Sequence, residues 1–210
     1  MFISAFALMR KFFGEAESIR KELEKAVERD IERILRQGTQ VLTVPFNKEI
    51  VKRGTDAVFG LGIRNVLGTD KIFCTHTFFD SGYQPNEQPI GPAYGTKDEY
   101  SAEYVQSRWV GGFSYIDEPG MLKNNDFKIV PVRIKAFNNM ADSVATLKGT
   151  YVFNVCVYAA SNVLGCTSGQ EAQVCRSCIE QPLLCKQQQT LNPDNFAYTG
   201  KILKVFVEVV

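Results

Sequence analysis

The chain is 210 residues long, with 45% apolar and 22% charged residues, a composition that supports one substantial hydrophobic core. Its 24 basic and 23 acidic side chains give a formal net charge of +1. Because this balance provides no basic field for holding nucleic acid or an anionic membrane face, we expect no nucleic-acid partner.

Residues 1–38 form the first predicted element, a long helix that is apolar at its start and charged further on. From Glu15 onward, aliphatic side chains recur every three or four residues, which places them on one helical face. That face, from Ile19 to Leu35, is expected to pack against neighbouring copies of the helix or against the chain's own β-domain. Gly38 stands where a left-handed C-terminal cap belongs. The residues expected to anchor or assemble the protein are Phe2, Phe6, Met9, Phe12, Phe13, Ile19, Leu23 and Val27.

The apolar run at the start of this helix, from Phe2 to Phe13, has two interpretations. Its 12 residues fall short of the roughly 20 that a bilayer requires, and it lacks the basic leader and cleavage site of a secretory signal. One interpretation is an amphipathic helix that packs on its own domain. We favour the other, in which Met1 lies inside a longer spanning or filament-core helix, because so many exposed phenylalanines need a cover.

Beyond Gly38 the apolar side chains alternate with a period of two, which predicts strands. In one of them, Gly60 and Gly62 occupy the face opposite to Phe59 and Leu61. Pro45 marks the first strand as an edge or as a switch between sheets. The predicted strands cover residues 40–46, 57–64, 71–79, 103–115, 127–137, 150–159 and 201–210, and residues 80–96 form a long surface loop.

About seven strands, joined in several places by short turns and with no helical pattern among them, predict a mainly β domain at residues 39–210. Two packed antiparallel sheets are the expected architecture, and a closed barrel is the alternative. Residues 161–199 are polar and contain four cysteines, so we interpret them as a Cys-rich insertion between the last two strands.

The six cysteines are the main chemical motif of the chain. An even number, with four in one polar segment, favours disulfides in an oxidising compartment. For that segment, two disulfides are preferred over a structural zinc site, because zinc modules usually pair two Cys-x-x-Cys knuckles and only one occurs here. Redox catalysis is the third and weakest interpretation. The disulfide candidates are Cys74, Cys156, Cys166, Cys175, Cys178 and Cys185, of which the last four are the minority zinc candidates.

Cys74 and Cys156 both lie in predicted strands, where they form either one pair or two separate buried thiols. His76 is the only histidine and is two residues from Cys74, but two ligands do not make a metal site. We interpret it as an ordinary core or surface histidine. With no second histidine, no Gly-x-Ser-x-Gly elbow and no phosphate loop, we expect no catalytic residue and no cofactor.

Two loops contain further candidate residues. Asp117, Glu118 and Asp126 flank a Pro-Gly turn and match no calcium loop, so turn formation is the preferred explanation. Tyr83 and Tyr94 lie in the proline-rich loop and are candidates for an exposed surface that contacts sugar or protein.

Three short runs carry a resemblance to a known family. FNKEIVKRG at 46–54 and FGLGIRN at 59–65 resemble the start of the immunoglobulin-like domain of archaeal surface proteins. In those proteins the domain follows an N-terminal hydrophobic helix of the type IV pilin or archaellin kind. GTYVFNV at 149–155 and the valine-rich end resemble the last two strands of such domains. The resemblance implies an immunoglobulin-like sandwich behind an assembly helix.

These observations lead us to expect a non-enzymatic, extracytoplasmic structural protein at the cell surface. The first interpretation is a pilin-like filament subunit whose partners are copies of itself, bound through the N-terminal helix. The alternative is a membrane-anchored binding or adhesion module that recognises carbohydrate or protein through Tyr83 and Tyr94. A small Cys-cluster metalloprotein or thiol enzyme is the third.

Overall fold

The computed structural model describes residues 25–38, 40–90, 121–141, 144–160 and 197–210. Over these ranges it contains one helix, α1 (25–36), and nine strands. The strands are β1 (Leu42–Thr43), β2 (Lys48–Val51), β3 (Asp56–Arg64), β4 (Ile72–Tyr83), β5 (Phe127–Lys135), β6 (Asn139–Ala141), β7 (Val144–Ala145), β8 (Gly149–Ala160) and β9 (Ala197–Val209).

The strands form a three-stranded sheet in the order β1-β3-β5 and a four-stranded sheet in the order β2-β9-β8-β4. β6 and β7 pair separately with each other. The two larger sheets share one apolar core, to which Phe59 and Val132 contribute from the first sheet and Phe153 and Val205 from the second. The prediction of a mainly β fold with two sheets is therefore confirmed.

The core positions follow the alternation that the sequence predicts. In β3, Ala57, Phe59, Leu61 and Ile63 are buried in the core, because side chains two residues apart face the same side of a sheet. In β4 the inward residues are Phe73, Thr75, Thr77 and Phe79, in β8 Tyr151, Phe153, Val155 and Val157, and in β9 Val205, Val207 and Val209.

Three predictions about the elements need correction. Among the described residues the helix covers 25–36, so its predicted end at 38 is two residues too late, and the part predicted over 1–24 lies outside the described residues. The first predicted strand is reduced to the two residues of β1. The last strand begins at Ala197, four residues before the predicted start, so the insertion ends earlier than predicted.

A purely antiparallel arrangement is also wrong, because β2 pairs in parallel with β9, with Lys48 opposite Phe206 and Val51 opposite Val209. Pro45 lies between β1 in one sheet and β2 in the other, so its predicted place at a switch between sheets is confirmed. Proline donates no backbone hydrogen bond, which favours a break in pairing there. The predicted strand at 103–115 lies outside the described residues.

Candidate functional site

The helix α1 packs on the outer face of the three-stranded sheet, over the two glycines of β3. A Cβ atom built on Gly62 would be 2.4 Å from Ile31 Cγ2 and 2.9 Å from Leu35 Cδ1. One built on Gly60 would be 2.8 Å from Ile31 Cδ1. Ile31 and Leu35 are 0% exposed. Gly60 and Gly62 therefore form a seat for the helix, which we call the glycine seat, because any side chain there would occupy the space of Ile31.

The C-terminal end of α1 is attached to the same sheet by polar contacts. The Arg64 Nη1 atom donates a hydrogen bond to the Leu35 carbonyl oxygen at 3.1 Å, and a cation is favoured at this end of a helix. The guanidinium of Arg36 lies 5.0 Å from the ring centroid of Phe127 on β5. Gly38 has φ 73° and donates its N–H to Leu35 at 3.2 Å. The predicted left-handed cap is thus confirmed, and the helix end is fixed in place.

A groove of about 620 Å³ lies beside the glycine seat, between the N-terminal half of α1, β2 and the outer face of β3. Val27 and Ile129 contribute to its apolar lining. Ile50 and Val58, which also line it, are 65% and 37% exposed. Glu28, Glu49, Lys52 and Asp56 also line it, so the groove combines apolar and charged side chains.

Tyr198 connects the two sheets at the other end of β3. Its hydroxyl donates to the Arg64 carbonyl oxygen and accepts the Val66 N–H at 3.0 Å. Its ring meets Phe73 edge-on, with centroids 4.8 Å apart. Burial raises the pKa of Tyr198, although the hydrogen bond from Val66 and the charge of Arg64 oppose this. The phenol therefore stays neutral and acts as a fixed clamp between the sheets.

A polar cluster lies on the outer face of the four-stranded sheet. The Asp80 carboxylate accepts hydrogen bonds from Asn154 Nδ2 at 2.9 Å and from Lys204 Nζ at 3.0 Å. Burial raises the pKa of Asp80, but the hydrogen bonds from Lys204 and Asn154 outweigh it, so the net shift is downward. Three strands, β4, β8 and β9, are joined by this one carboxylate.

Cys74 and Cys156 lie on the same outer face, in the neighbouring strands β4 and β8. Both cysteines are disulfide-bonded, and no free cysteine occurs among the described residues. Cys74 is opposite Tyr158, whereas Cys156 is opposite His76. The other four disulfide and zinc candidates, Cys166, Cys175, Cys178 and Cys185, lie outside the described residues.

Among the described residues, the remaining candidates are not brought together into a reactive site. His76 stacks on Phe78 with centroids 5.8 Å apart. Tyr83 is 45% exposed at the end of β4, and Tyr94 lies outside the described residues. Asp126 accepts the Phe127 N–H at 2.9 Å, as a turn residue does, while Asp117 and Glu118 lie outside the described ranges. Within those ranges, no three His, Cys, Asp or Glu side chains are placed to hold a metal ion.

Most of the predicted assembly residues, Phe2, Phe6, Met9, Phe12, Phe13, Ile19 and Leu23, also lie outside the described part of the chain. Val27 is half-buried and faces Gly60 of its own sheet. In the residues that the structure describes, no helix has the length and apolar character to cross a membrane.

Sequence reasoning missed Arg64, Tyr198 and Asn154 as structural contacts. For Arg64 the sequence contains one signal. A basic residue at the end of a strand can donate hydrogen bonds to the last carbonyl groups of a helix that packs on that strand. The sequence contains no such signal for Tyr198 or Asn154, since their hydrogen-bond partners are more than 70 residues away in sequence.

Comparison with known proteins leaves the family open. No family model matches the chain, and no curated protein matches it. Among solved structures, one match is a family 123 glycoside hydrolase from Clostridium perfringens, with 11% identity and a TM-score of 0.39 over 88% of this chain. The chain spans 25% of that hydrolase. Another match is a PapD-like domain of human CEP192, with 8% identity, a TM-score of 0.33, and coverage of 80% of this chain and 83% of that one. Neither likeness is close enough to support an argument about function.

Proposed function

We propose that the chain is a non-enzymatic, extracytoplasmic structural subunit that assembles with copies of itself through its N-terminal segment. In this proposal an immunoglobulin-like β-sandwich is the outward part, and the arrangement is pilin-like. The observation that carries the proposal is the docking of α1 in the glycine seat. Because Ile31 and Leu35 are fully buried against the chain's own sheet, they are not free to contact another copy.

The exposed face of α1 also supports an assembly contact that lies outside α1 itself. Arg33 pairs with Asp30 at 3.3 Å and Arg36 approaches Glu32 at 3.9 Å, and the four side chains are 45–67% exposed. Such ion pairs at helical spacing suit a solvated surface. The apolar residues that need a cover from other chains or from lipid are then those before Lys25, above all Phe2, Phe6, Met9, Phe12 and Phe13.

The attachment of the C-terminal end of α1 to the sheet has a mechanical consequence for the proposed assembly. Arg64 holds the Leu35 carbonyl and Gly38 caps the helix, so α1 and the three-stranded sheet move as one body. A contact made by residues 1–24 would therefore set the position of the whole β-domain. This rigid coupling is what a repeating assembly requires.

The disulfide-bonded state of Cys74 and Cys156 supports the proposed compartment. Disulfides persist in extracellular and periplasmic environments and are rare in reducing ones. An extracytoplasmic location also agrees with the expected role at the cell surface.

Electron microscopy and sedimentation velocity of the full chain test the proposal. We expect ordered polymers from the unchanged chain and dispersed monomers from the triple variant Phe6→Ser, Phe12→Ser, Phe13→Ser. The matched control introduces serine at three exposed apolar positions of the β-domain, Ile50, Val66 and Met121, and should still polymerise. Monomers of the unchanged chain that stay dispersed after detergent extraction would contradict the filament and favour a membrane-anchored binding module.

A further inference from the structure

β3 is paired along its whole length on one side only. All nine of its residues pair with β5, whereas on the other side β1 pairs only near its end, at Gly62 and Ile63. The chain leaves this side at Pro45 and continues as β2 in the other sheet. Within the described residues, no strand therefore pairs with this side of β3 at residues 56–60, which we call the open edge.

The open edge presents backbone groups that suit one more strand. Alternate residues of a strand direct their N–H and C=O groups to the same side. Since the Arg64 N–H donates to the Val41 carbonyl oxygen on the β1 side, Gly60 and Val58 face that side as well. The Val58 N–H donates to a carboxylate oxygen of Glu49 at 3.0 Å. Both backbone groups of Gly60 and the C=O of Val58 have no hydrogen-bond partner among the described residues.

The two edges of this sheet are protected to different degrees. In the described chain β5 forms the opposite edge, and it carries Pro131, which lacks an N–H, together with Arg133 and Lys135. Proline and basic side chains are common means by which an edge strand avoids further pairing. Residues 56–60 have the sequence DAVFG, without proline or lysine, and Glu49 covers a single N–H. The open edge is therefore the better of the two for the addition of a strand.

The groove beside the open edge can receive side chains of an added strand. It measures about 620 Å³, within the roughly 300–1,000 Å³ of ligand sites. Val58 and Ile50 line it and are 37% and 65% exposed. Every second side chain of an added strand would face the same side of the sheet as Val58. Apolar side chains at those positions would remove Val58 and Ile50 from water, which is favourable.

The charges around the groove favour a basic occupant. Glu28, Glu49 and Asp56 line it together with one cation, Lys52. The three carboxylates outnumber the single ammonium group, although Arg133 pairs with Asp56 at 3.1 Å. Opposite charges across an interface steer association and suppress wrong partners. A segment with lysine or arginine beside its apolar residues is therefore a better match than an acidic one.

We propose that the open edge of β3 binds an extended peptide segment of another protein, which adds to the three-stranded sheet in line with β1. The segment donates N–H groups to the carbonyl oxygens of Val58 and Gly60 and accepts the Gly60 N–H. Alternate side chains of the segment are apolar and lie in the groove, and flanking basic side chains lie near Glu28 and Glu49. In this mode of recognition, main-chain hydrogen bonds supply affinity and side-chain pockets supply specificity. The proposal is separate from self-assembly through the N-terminal segment, and neither requires the other.

Fluorescence anisotropy with the full chain tests the proposal. The probe is a labelled peptide in which valine and threonine alternate between two terminal lysines, and we expect saturable binding that weakens as salt is added. Two N-methylated versions of the peptide identify the backbone contact, because each blocks the N–H groups along one of its edges only. One version should bind about tenfold more weakly or worse, since it loses hydrogen bonds to the open edge. The other version is the matched control and should bind as the parent peptide does.

Substitutions in the chain provide the second readout. Val58→Lys places a cation in the groove and should weaken binding about tenfold or more, whereas Val66→Lys, at a 45% exposed position outside the groove, should have no effect. Glu28→Lys should weaken binding at low salt. Its control is Glu32→Lys, on the same helix but outside the groove.

Amide hydrogen exchange locates the contact. Exchange at Gly60 should be faster than at Leu61, which faces β5, and should slow severalfold when the peptide binds. Absence of binding, equal binding of the two N-methylated peptides, or full binding by the Val58→Lys chain would overturn the proposal. So would exchange at Gly60 as slow as at Leu61 before peptide is added, because the edge would then already be occupied by the chain itself or by a second copy.

Discussion

Replacement of Gly62 by alanine is expected to weaken the packing of α1 on β3 and to lower the free energy of unfolding. The added Cβ would be 2.4 Å from Ile31 Cγ2, 2.9 Å from Leu35 Cδ1 and 3.1 Å from Thr43 Cγ2, whereas ordinary contacts begin near 3.4 Å. Ile31 cannot easily turn away, because a β-branched side chain in a helix has one strongly preferred rotamer. The clash must therefore move the helix or the strand.

The magnitude follows from two opposing effects. Overpacking of a filled site costs about 1–3 kcal/mol, and the rigid position of Ile31 Cγ2 places Gly62→Ala in the upper part of that range. Alanine also restricts the unfolded chain, which returns roughly 0.4–1 kcal/mol where the backbone conformation is compatible. The net loss expected for Gly62→Ala is about 1–2 kcal/mol.

Urea unfolding monitored by circular dichroism measures this loss, and two variants of Ile31 identify its cause. Ile31→Ala removes Cγ2 and Cδ1, so it should relieve both Gly62→Ala and Gly60→Ala. Ile31→Val removes only Cδ1, the atom 2.8 Å from the Cβ built on Gly60. It should therefore relieve Gly60→Ala and leave Gly62→Ala unrelieved.

In a double-mutant cycle, the coupling between Gly62→Ala and Ile31→Ala should reach at least about 1 kcal/mol, within the range for residues in direct contact. Free energies that add to within about 0.5 kcal/mol, as they do for distant sites, would refute the glycine seat. So would equal relief of Gly62→Ala by Ile31→Val and Ile31→Ala.

Three further substitutions test the other contacts by chemical unfolding. Tyr198→Phe removes the hydroxyl that joins the backbone of Arg64 and Val66, and should cost about 1–2 kcal/mol; an unchanged midpoint would refute the clamp. Asn65→Ala removes three hydrogen bonds of a fully buried side chain and should lower the free energy of unfolding by about 2–4 kcal/mol. Amide exchange in the turn at 122–126 should become faster, and slow exchange there would contradict the role of Asn65 in holding this turn. Asp80→Asn should cost less than about 1 kcal/mol at neutral pH because the pair is partly exposed. Since the folded pKa of Asp80 lies below its ordinary 3.8, its contribution is present above that value and is lost as the pH falls through the folded pKa; an Asn variant with the same acid sensitivity as the unchanged chain would contradict this.

Local patterns were sufficient to predict much of the architecture. The three-to-four spacing identified Ile31 and Leu35 as one face, and both are fully buried. The period of two predicted which residues of β3 face the core, and Gly38 was predicted as the helix cap. These features depend on contacts between residues that are close in sequence, and a local sequence pattern can predict such contacts.

Features that depend on distant partners could not be predicted in the same way. Two glycines on one face of a strand indicate a close approach, but nothing in the strand says that Ile31 is the group that approaches. The four residues of β2 include Lys48 and Glu49, show no clear alternation, and pair with a strand more than 150 residues away. Pro45 indicates a switch between sheets, but no local pattern specifies that β2 then pairs in parallel with β9.

The glycine seat also limits where an assembly surface can begin. A glycine inside a strand costs roughly 0.5–1 kcal/mol relative to alanine, so Gly60 and Gly62 together weaken β3. Burial of Ile31 and Leu35 against them offsets this, because each large aliphatic side chain contributes about 1.5–3 kcal/mol when it leaves water. Release of α1 to another copy would forfeit that burial and expose a strand face without side chains. In the proposed assembly, a contact between copies is therefore expected upstream of Lys25, where it leaves the glycine seat occupied.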